Sequence, residues 1–314
     1  MKTFNVFING AAGTTGLNIL SRLSGREDLN LITLPDSLRK DPAAVKQAMD
    51  RSDVTFLCLP DEASRQAVAL LENPDTVVLD TSTAHRTAPG WVYGFPELTG
   101  QREKIRGAKR IANPGCHASG FIALVAPLSE KGLISKDAAL TCFSLTGYSG
   151  GGKKMIAEYE APERPALYDA PRQYGLSQAH KHLPEMQALC ALDRAPVFCP
   201  IVAPFYSGME VTVPLFADQL LCSADELKEF YRDYYRGGMV RCDDGAESEN
   251  GFLSAGAMTG LDEMAVSVQG NGERVLLVAR FDNLGKGASG AAIQNMNIVL
   301  GVPEDTSLVR AAHE

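Results

Sequence analysis

The feature that most restricts this chain is a regular alternation of apolar and amphipathic runs through its first third. "TFNVFI" near the start, "LNLITL" at 29–34, "DVTFLCLP" at 53–60 and "TVVLD" at 76–80 are short and almost uniformly apolar. Between them lie segments of helical period: 14–24, with Leu17, Leu20 and Leu23 on one side, a short run through Val45 and Met49, and 63–71. Strands this apolar must be covered on both faces, and strands that alternate with helices form parallel sheets. The pattern predicts an α/β, doubly wound parallel sheet.

After residue 128 the pattern changes. Segments 138–149, 196–207, 209–216, 264–270 and 274–282 are strand-like, with one clear helix at 224–235 among them. Strands with segregated helices predict an α+β domain with a mostly antiparallel sheet. The tail, 287–301, is helical again. With 314 residues there is length for two domains. The expected division is 1–115, then 116–284, with 285–314 returning to the first domain.

The net charge of −8 argues against a nucleic-acid partner, which requires clustered Lys and Arg. No apolar run approaches the roughly 18 residues of a membrane span, and the start reads as a strand rather than a signal peptide. Seven cysteines without a C-x-x-C pair fit neither a disulfide scaffold nor a zinc site, so no metal is expected. Reduced thiols imply a cytoplasmic protein.

"NGAAGTTG" at 9–16 joins the first strand to the first helix, as in a Rossmann-like dinucleotide site. Gly10 permits a tight turn, Gly13 permits close approach of a pyrophosphate, and Gly16 permits close helix–strand packing. The first-turn N–H groups would bind the anion, with Thr14 and Thr15 adding hydroxyl donors. The spacing is G-x-x-G-x-x-G rather than G-x-G-x-x-G, so the motif alone is also compatible with a structural turn. At the second strand, "LPDSLRK" offers Asp36, which favours a free ribose hydroxyl, beside Ser37, Arg39 and Lys40, which favour a 2′-phosphate. The density of donors favours NADP; a solvated loop of charges is the alternative.

Cys116 stands in "IANPGCHASGF", between a strand at 109–112 and a helix beginning near 118. A helix N-terminus favours thiolate, and its unpaired N–H groups can stabilise an oxyanion. Position alone leaves nucleophile and core filler level. As acid/base partners the chain offers five histidines. His313 is in the tail, and His117 is expected to point elsewhere along the new helix. His85 follows the fourth strand, and His180 and His182 share "AHKHLPEM". Residues i and i+2 share a face only in an extended segment, so a helix there would present one of the pair. Arg86 stands out among anion-binding candidates, because ligands of such sheets bind beyond the strands' carboxyl ends.

Taken in order, "GAAGTTG", "DTSTAHR", "YGFPEL", "NPGCHASG", "GYSGGGKK", "HKHLPEM" and "NLGKGASGAAIQNMN" resemble the short form of the N-acetyl-γ-glutamyl-phosphate reductase family. That family is related in architecture to aspartate-semialdehyde dehydrogenase and glyceraldehyde-3-phosphate dehydrogenase. The resemblance implies an NADP-dependent enzyme of arginine biosynthesis acting on a small acyl phosphate, as a homo-oligomer (dimer or tetramer). By the same resemblance Cys116 is the nucleophile that forms a thioester and His180 the acid/base. Arg86, Ser149, Arg172, Tyr174 and His182 match substrate-binding positions, and Asn283 a position near the nicotinamide. Aspartyl phosphate as substrate, and a non-catalytic dinucleotide sensor, are the competing readings.

Overall fold

A computed structural model describes residues 2–243 and 250–311; His313 lies outside them. The chain forms two compact units. One comprises Met1–Pro96, Gly100–Pro114 and Ala288–Leu308, the other Glu97–Thr99, Gly115–Gly287 and Val309–Glu314.

The first unit runs β1 (Phe4–Asn9), α1 (Thr14–Leu23), β2 (Leu29–Ile32), α2 (Pro42–Asp50), β3 (Val54–Leu57), α3 (Asp61–Leu70), β4 (Val77–Asp80), β5 (Val92–Tyr93), α4 (Gln101–Gly107) and β6 (Arg110–Ala112). Its strands are all parallel, in the order β2-β1-β3-β4-β6-β5. Every residue of β3 and β4 is buried, which is why their sequences are apolar without alternation. The strand order reverses between β1 and β3, so the glycine turn after β1 lies at the crevice where such sheets take ligands. The inward stripe of α1 is Gly16, Ile19 and Leu23, whereas Leu17, expected on that stripe, is 44% exposed. A Cβ on Gly16 would stand 2.4 Å from the Gly10 carbonyl oxygen. The glycine face of α1 is thus pressed onto the turn, and Leu17 is rotated outward.

The second unit runs α5 (Cys116–Glu130), β7 (Thr141–Gly147), α6 (Gly152–Glu160), β8 (Arg172–Gln173), α7 (Leu183–Leu189), β9 (Val197–Ala203), β10 (Met209–Phe216), α8 (Ala224–Tyr234), β11 (Val240–Cys242), β12 (Met264–Gly270) and β13 (Arg274–Phe281). The sheet order is β11-β12-β13-β10-β7-β9-β8. The β7–β9 and β11–β12 pairs are parallel and the other pairs antiparallel. Helices α6 and α7 correct the expectation of a single helix in this stretch. Both are short, and α7 carries Pro184 in its first turn, so neither shows a readable period.

Helix α5 is the core element of this unit and is buried continuously from His117 to Leu128. It lies on β10 and β13 through Gly120, where a Cβ would fall 2.5 Å from Val211 Cγ2. A π-helical turn, Gly285–Ser289, then leads into α9 (Gly290–Leu300). Helix α9 belongs to the first unit, where Ile293, Met296 and Ile298 share a core with Ile19 and Ile105. Among the described residues no helix is long and apolar enough to cross a membrane.

Candidate active site

In the first unit, Gly10 adopts φ +90°, and a side chain there would collide with the Cys58 carbonyl oxygen at 2.3 Å. Only glycine meets both conditions. The Gly13 N–H closes the turn on the Gly10 carbonyl at 3.0 Å, and Gly13 precedes α1. The next N–H groups, at Thr14, Thr15 and Gly16, are those a helix start leaves without intrahelical acceptors. Thr14 Oγ1 is buried with no hydrogen-bond partner among the described residues. Beside the turn opens a cleft of about 550 Å³ whose lining includes Gly10, Ala11, Asp36, Ser37, Arg39 and Lys40. Asp36 and Arg39 form an ion pair at its rim. A stranded hydroxyl, open helix N–H groups and a rim of donors fit a phosphorylated dinucleotide.

Arg86 also lies in the first unit. Its Nε donates to the Asn113 carbonyl at 3.0 Å and its Nη2 to the Thr81 carbonyl at 3.3 Å. The preceding residue, His85, is buried, stacks on Trp91 at 4.0 Å and meets the buried Asp80 carboxylate through Nδ1 at 2.6 Å.

In the second unit, Cys116 is the first residue of α5 and Gly115 is its N-cap. The thiol is half-buried, at the positive end of a fifteen-residue helix. The Gly115 N–H donates at 3.1 Å to Oε2 of Glu185, a carboxylate 1% exposed in the first turn of α7. Elsewhere burial works against thiolate formation. It pushes Cys58 up to about 12 and raises Cys142, Cys190 and the less buried Cys222 as well. Gly287 packs on the nucleophile candidate: a Cβ there would lie 3.1 Å from Cys116 Cβ.

Next to Cys116, His117 gathers the rings of Tyr174, His180 and His182 around it. The rings of His180 and His182 are 4.7 Å apart, and both lie within 5.8 Å of His117. No extended segment is needed for this. His182 is the N-cap residue of α7, and its N–H donates to His180 Nδ1 at 3.2 Å, a tight turn that folds both rings to one side. His180 is half-buried, whereas His182 is only 5% exposed. His117 does not point away along α5 as expected; it is buried between Ser144 and Tyr174, at 2.6 Å from each. Burial, reinforced by the charge of His180, lowers its pKa to about 3.

Ser149 is buried and accepts from Asn283 Nδ2 at 2.9 Å, while Asn283 Oδ1 accepts from the Gly208 N–H at 3.0 Å. Asn283 therefore clamps two turns together. Arg172 donates twice to the Tyr159 hydroxyl and lies 3.7 Å over the Tyr168 ring. His117, Ser144 and Glu185 escaped the sequence reasoning as site residues. The last stands inside the "HKHLPEM" motif, which was its one visible signal.

A family model described as semialdehyde dehydrogenase, dimerisation domain, matches residues 116–283. A second, described as semialdehyde dehydrogenase, NAD binding domain, matches residues 35–108. A Nostoc protein named N-acetyl-gamma-glutamyl-phosphate reductase 2 is 44% identical over 98% of this chain and 100% of its own length. The chain belongs to the N-acetyl-gamma-glutamyl-phosphate reductase family. A Pseudomonas putida family member is 43% identical over 96% of this chain and 98% of its own. Among solved structures, aspartate semialdehyde dehydrogenase II from Vibrio cholerae superposes with a TM-score of 0.72, covering 96% of this chain and 99% of its own at 16% identity. Aspartate semialdehyde dehydrogenase with NADP from Candida albicans gives 0.67 at 17% identity, over 95% of this chain and 99% of its own. The fold is thus shared with semialdehyde dehydrogenases of other substrates.

Proposed function

We propose that this chain reduces N-acetyl-L-glutamyl 5-phosphate to N-acetyl-L-glutamate 5-semialdehyde with release of phosphate, a step of arginine biosynthesis, using NADPH. The observation that carries the reading is the half-buried Cys116 thiol at the start of α5, set among His180, His182 and Tyr174, in a chain matched nearly end to end by named reductases. Aspartyl phosphate is the weaker choice, because the aspartate enzymes share the fold at only 13–18% identity.

Cys116 sulfur attacks the acyl carbon; a C–S bond forms, the C–O bond to phosphate breaks, and a thioester remains on the protein. Backbone N–H groups at the start of α5 face the negative charge that develops on the carbonyl oxygen. His180 takes the thiol proton and later returns one to the product side; its partial exposure allows it to exchange protons, which the buried His182 is less suited to do. Arg86 holds the phosphate, while Ser149, Arg172, Tyr174 and His182 shape the acyl pocket. Bound NADPH supplies the hydride that reduces the thioester. Gly10, Gly13, Thr14, Thr15 and Gly16 hold its pyrophosphate, Ser37 and Arg39 its 2′-phosphate, and Asn283 supports the nicotinamide end. A cytoplasmic setting, where thiols stay reduced, suits seven cysteines that form no disulfide among the described residues.

The deciding assay runs the reaction in reverse, following phosphate-dependent reduction of NADP⁺ or NAD⁺ by N-acetylglutamate semialdehyde and by aspartate semialdehyde. Turnover with the acetylated substrate and NADP⁺ is expected. Preference for aspartate semialdehyde would move the substrate, and no turnover in any combination would favour a sensor. Within that assay, His180→Asn should slow thioester formation roughly 10²–10⁴-fold, and His182→Asn much less. The opposite order would transfer the acid/base role to His182.

The chain should also form a homodimer through the open face of the second unit's sheet. On that face Phe143 is 46% exposed, Val197 56%, Leu276 41% and Phe216 63%. Adjacent strands carry them, since Phe143 pairs with Thr212 of β10 and Leu276 with Pro214. Apolar area of this kind seldom stays in water. Phe143→Glu is expected to shift sedimentation toward the monomer; an unchanged oligomer would remove this face from the interface.

A further inference from the structure

Ser144 lies on the inward side of β7 and is completely buried. Its hydroxyl meets His117 Nδ1 at 2.6 Å, and His117 Nε2 meets the Tyr174 hydroxyl at 2.6 Å. A neutral imidazole donates from one nitrogen and accepts at the other, so this chain of three groups has two possible orderings. If Nδ1–H donated to Ser144, the Ser144 proton would be buried with no acceptor among the described residues. A stranded buried donor is strongly disfavoured. Either ordering leaves one hydroxyl proton over; the one that keeps it off the fully buried Ser144 and puts it on the half-buried Tyr174 has Ser144 donating to Nδ1 and Nε2–H donating to the Tyr174 oxygen.

That ordering has a consequence at the thiol. With its oxygen already accepting from His117, the Tyr174 hydroxyl must send its own proton elsewhere, and it makes no second hydrogen bond among the described residues. Burial, with the nearby charge of Cys116, raises the phenol pKa, so Tyr174 keeps that proton and stands within electrostatic reach of the sulfur. The low pKa of His117 keeps the imidazole neutral at physiological pH, as the relay requires.

We infer that Ser144 and His117 are positioning residues that fix one imidazole tautomer and so aim the Tyr174 hydroxyl, as a hydrogen-bond donor, at the oxygen of the carbonyl that Cys116 attacks. The inference rests on the cysteine acyl chemistry proposed above, and it adds a side-chain donor to the backbone N–H groups of α5. Ser144 acts from a distance: it touches no substrate, and its effect passes through His117.

The test uses the full-length chain and two reactions. Acylation by p-nitrophenyl acetate reports attack on a carbonyl without the natural substrate or cofactor. The reverse assay with N-acetylglutamate semialdehyde, phosphate and NADP⁺ reports the complete reaction. Tyr174→Phe is expected to slow acylation and to lower kcat about 100-fold, as loss of one oxyanion donor does. Its KM should change by less than about threefold, since the interaction forms only in the transition state. Ser144→Ala, which deletes one buried oxygen, should lower kcat roughly fivefold with KM unchanged, the worth of one hydrogen bond. Unchanged kcat in Tyr174→Phe, or a Ser144→Ala variant altered in KM alone, overturns the relay. Wild-type acylation without turnover of the semialdehyde refutes the proposed substrate, and the relay is then judged on acylation rates. A wild-type chain that is not acylated overturns both.

Discussion

Cys116→Ser abolishes phosphate-dependent NADP⁺ reduction, with kcat expected to fall by about 10⁵-fold or more, the scale on which a covalent catalyst fails without its nucleophile. The physical reason lies in the ionisation of the attacking atom. A thiol needs only a modest fall in pKa to become thiolate, and the α5 N-terminus supplies a partial positive charge of about half a unit. The same field is far too weak to ionise a serine hydroxyl. The substitution exchanges sulfur for oxygen at one half-buried position and leaves α5, Gly115 and Glu185 in place. NADPH binding, followed by fluorescence titration, should therefore be unchanged. Full activity in the variant would end the covalent mechanism, and loss of cofactor binding would show that the change had spread beyond the site.

Lys286→Met destabilises the fold by about 3–5 kcal/mol, the usual effect of removing one partner from a buried ion pair. Lys286 Nζ stands 2.7 Å from Glu97 Oε1, and the two side chains are 1% and 3% exposed. Removal of the ammonium leaves a carboxylate desolvated beside the Tyr235 phenol, whose pKa burial raises and Glu97 raises further. The double variant Lys286→Met/Glu97→Leu should recover most of the loss, because neither charge then remains to be solvated. Urea denaturation of both variants reads the effect directly. A single variant within about 1 kcal/mol of wild type would place this pair with surface ion pairs. Lys286 also directly precedes the Gly287 that packs on Cys116.

The parallel sheet was legible because its central strands are covered on both faces, and burial on both sides writes itself into the sequence as unbroken apolar runs at β3 and β4. The glycine turn was legible for a similar reason. Gly10 and Gly16 satisfy steric conditions that no other residue meets, so their spacing reports the backbone itself. Less was legible in the second unit. Helices α6 and α7 are too short for a period, and the buried stripe of α1 shifted off Leu17 because a glycine contact, not hydrophobicity, set its orientation.

The candidate nucleophile could be singled out from the sequence, because a strand–turn–helix junction is a local pattern. Its surroundings could not. His117 meets Ser144 across 27 positions and Tyr174 across 57, and Glu185 reaches the Gly115 N–H across 70. No local periodicity records such pairings. By itself, the sequence determined the fold class, the glycine turn and the thiol at a helix start, since each depends on neighbouring residues and backbone sterics. Only the tertiary structure decided that His117 turns inward, that His180 and His182 converge despite a turn between them, and that a buried carboxylate caps α5. Side-chain direction and proton position depend on what lies opposite, and that is set by how β7, α7 and α5 pack together.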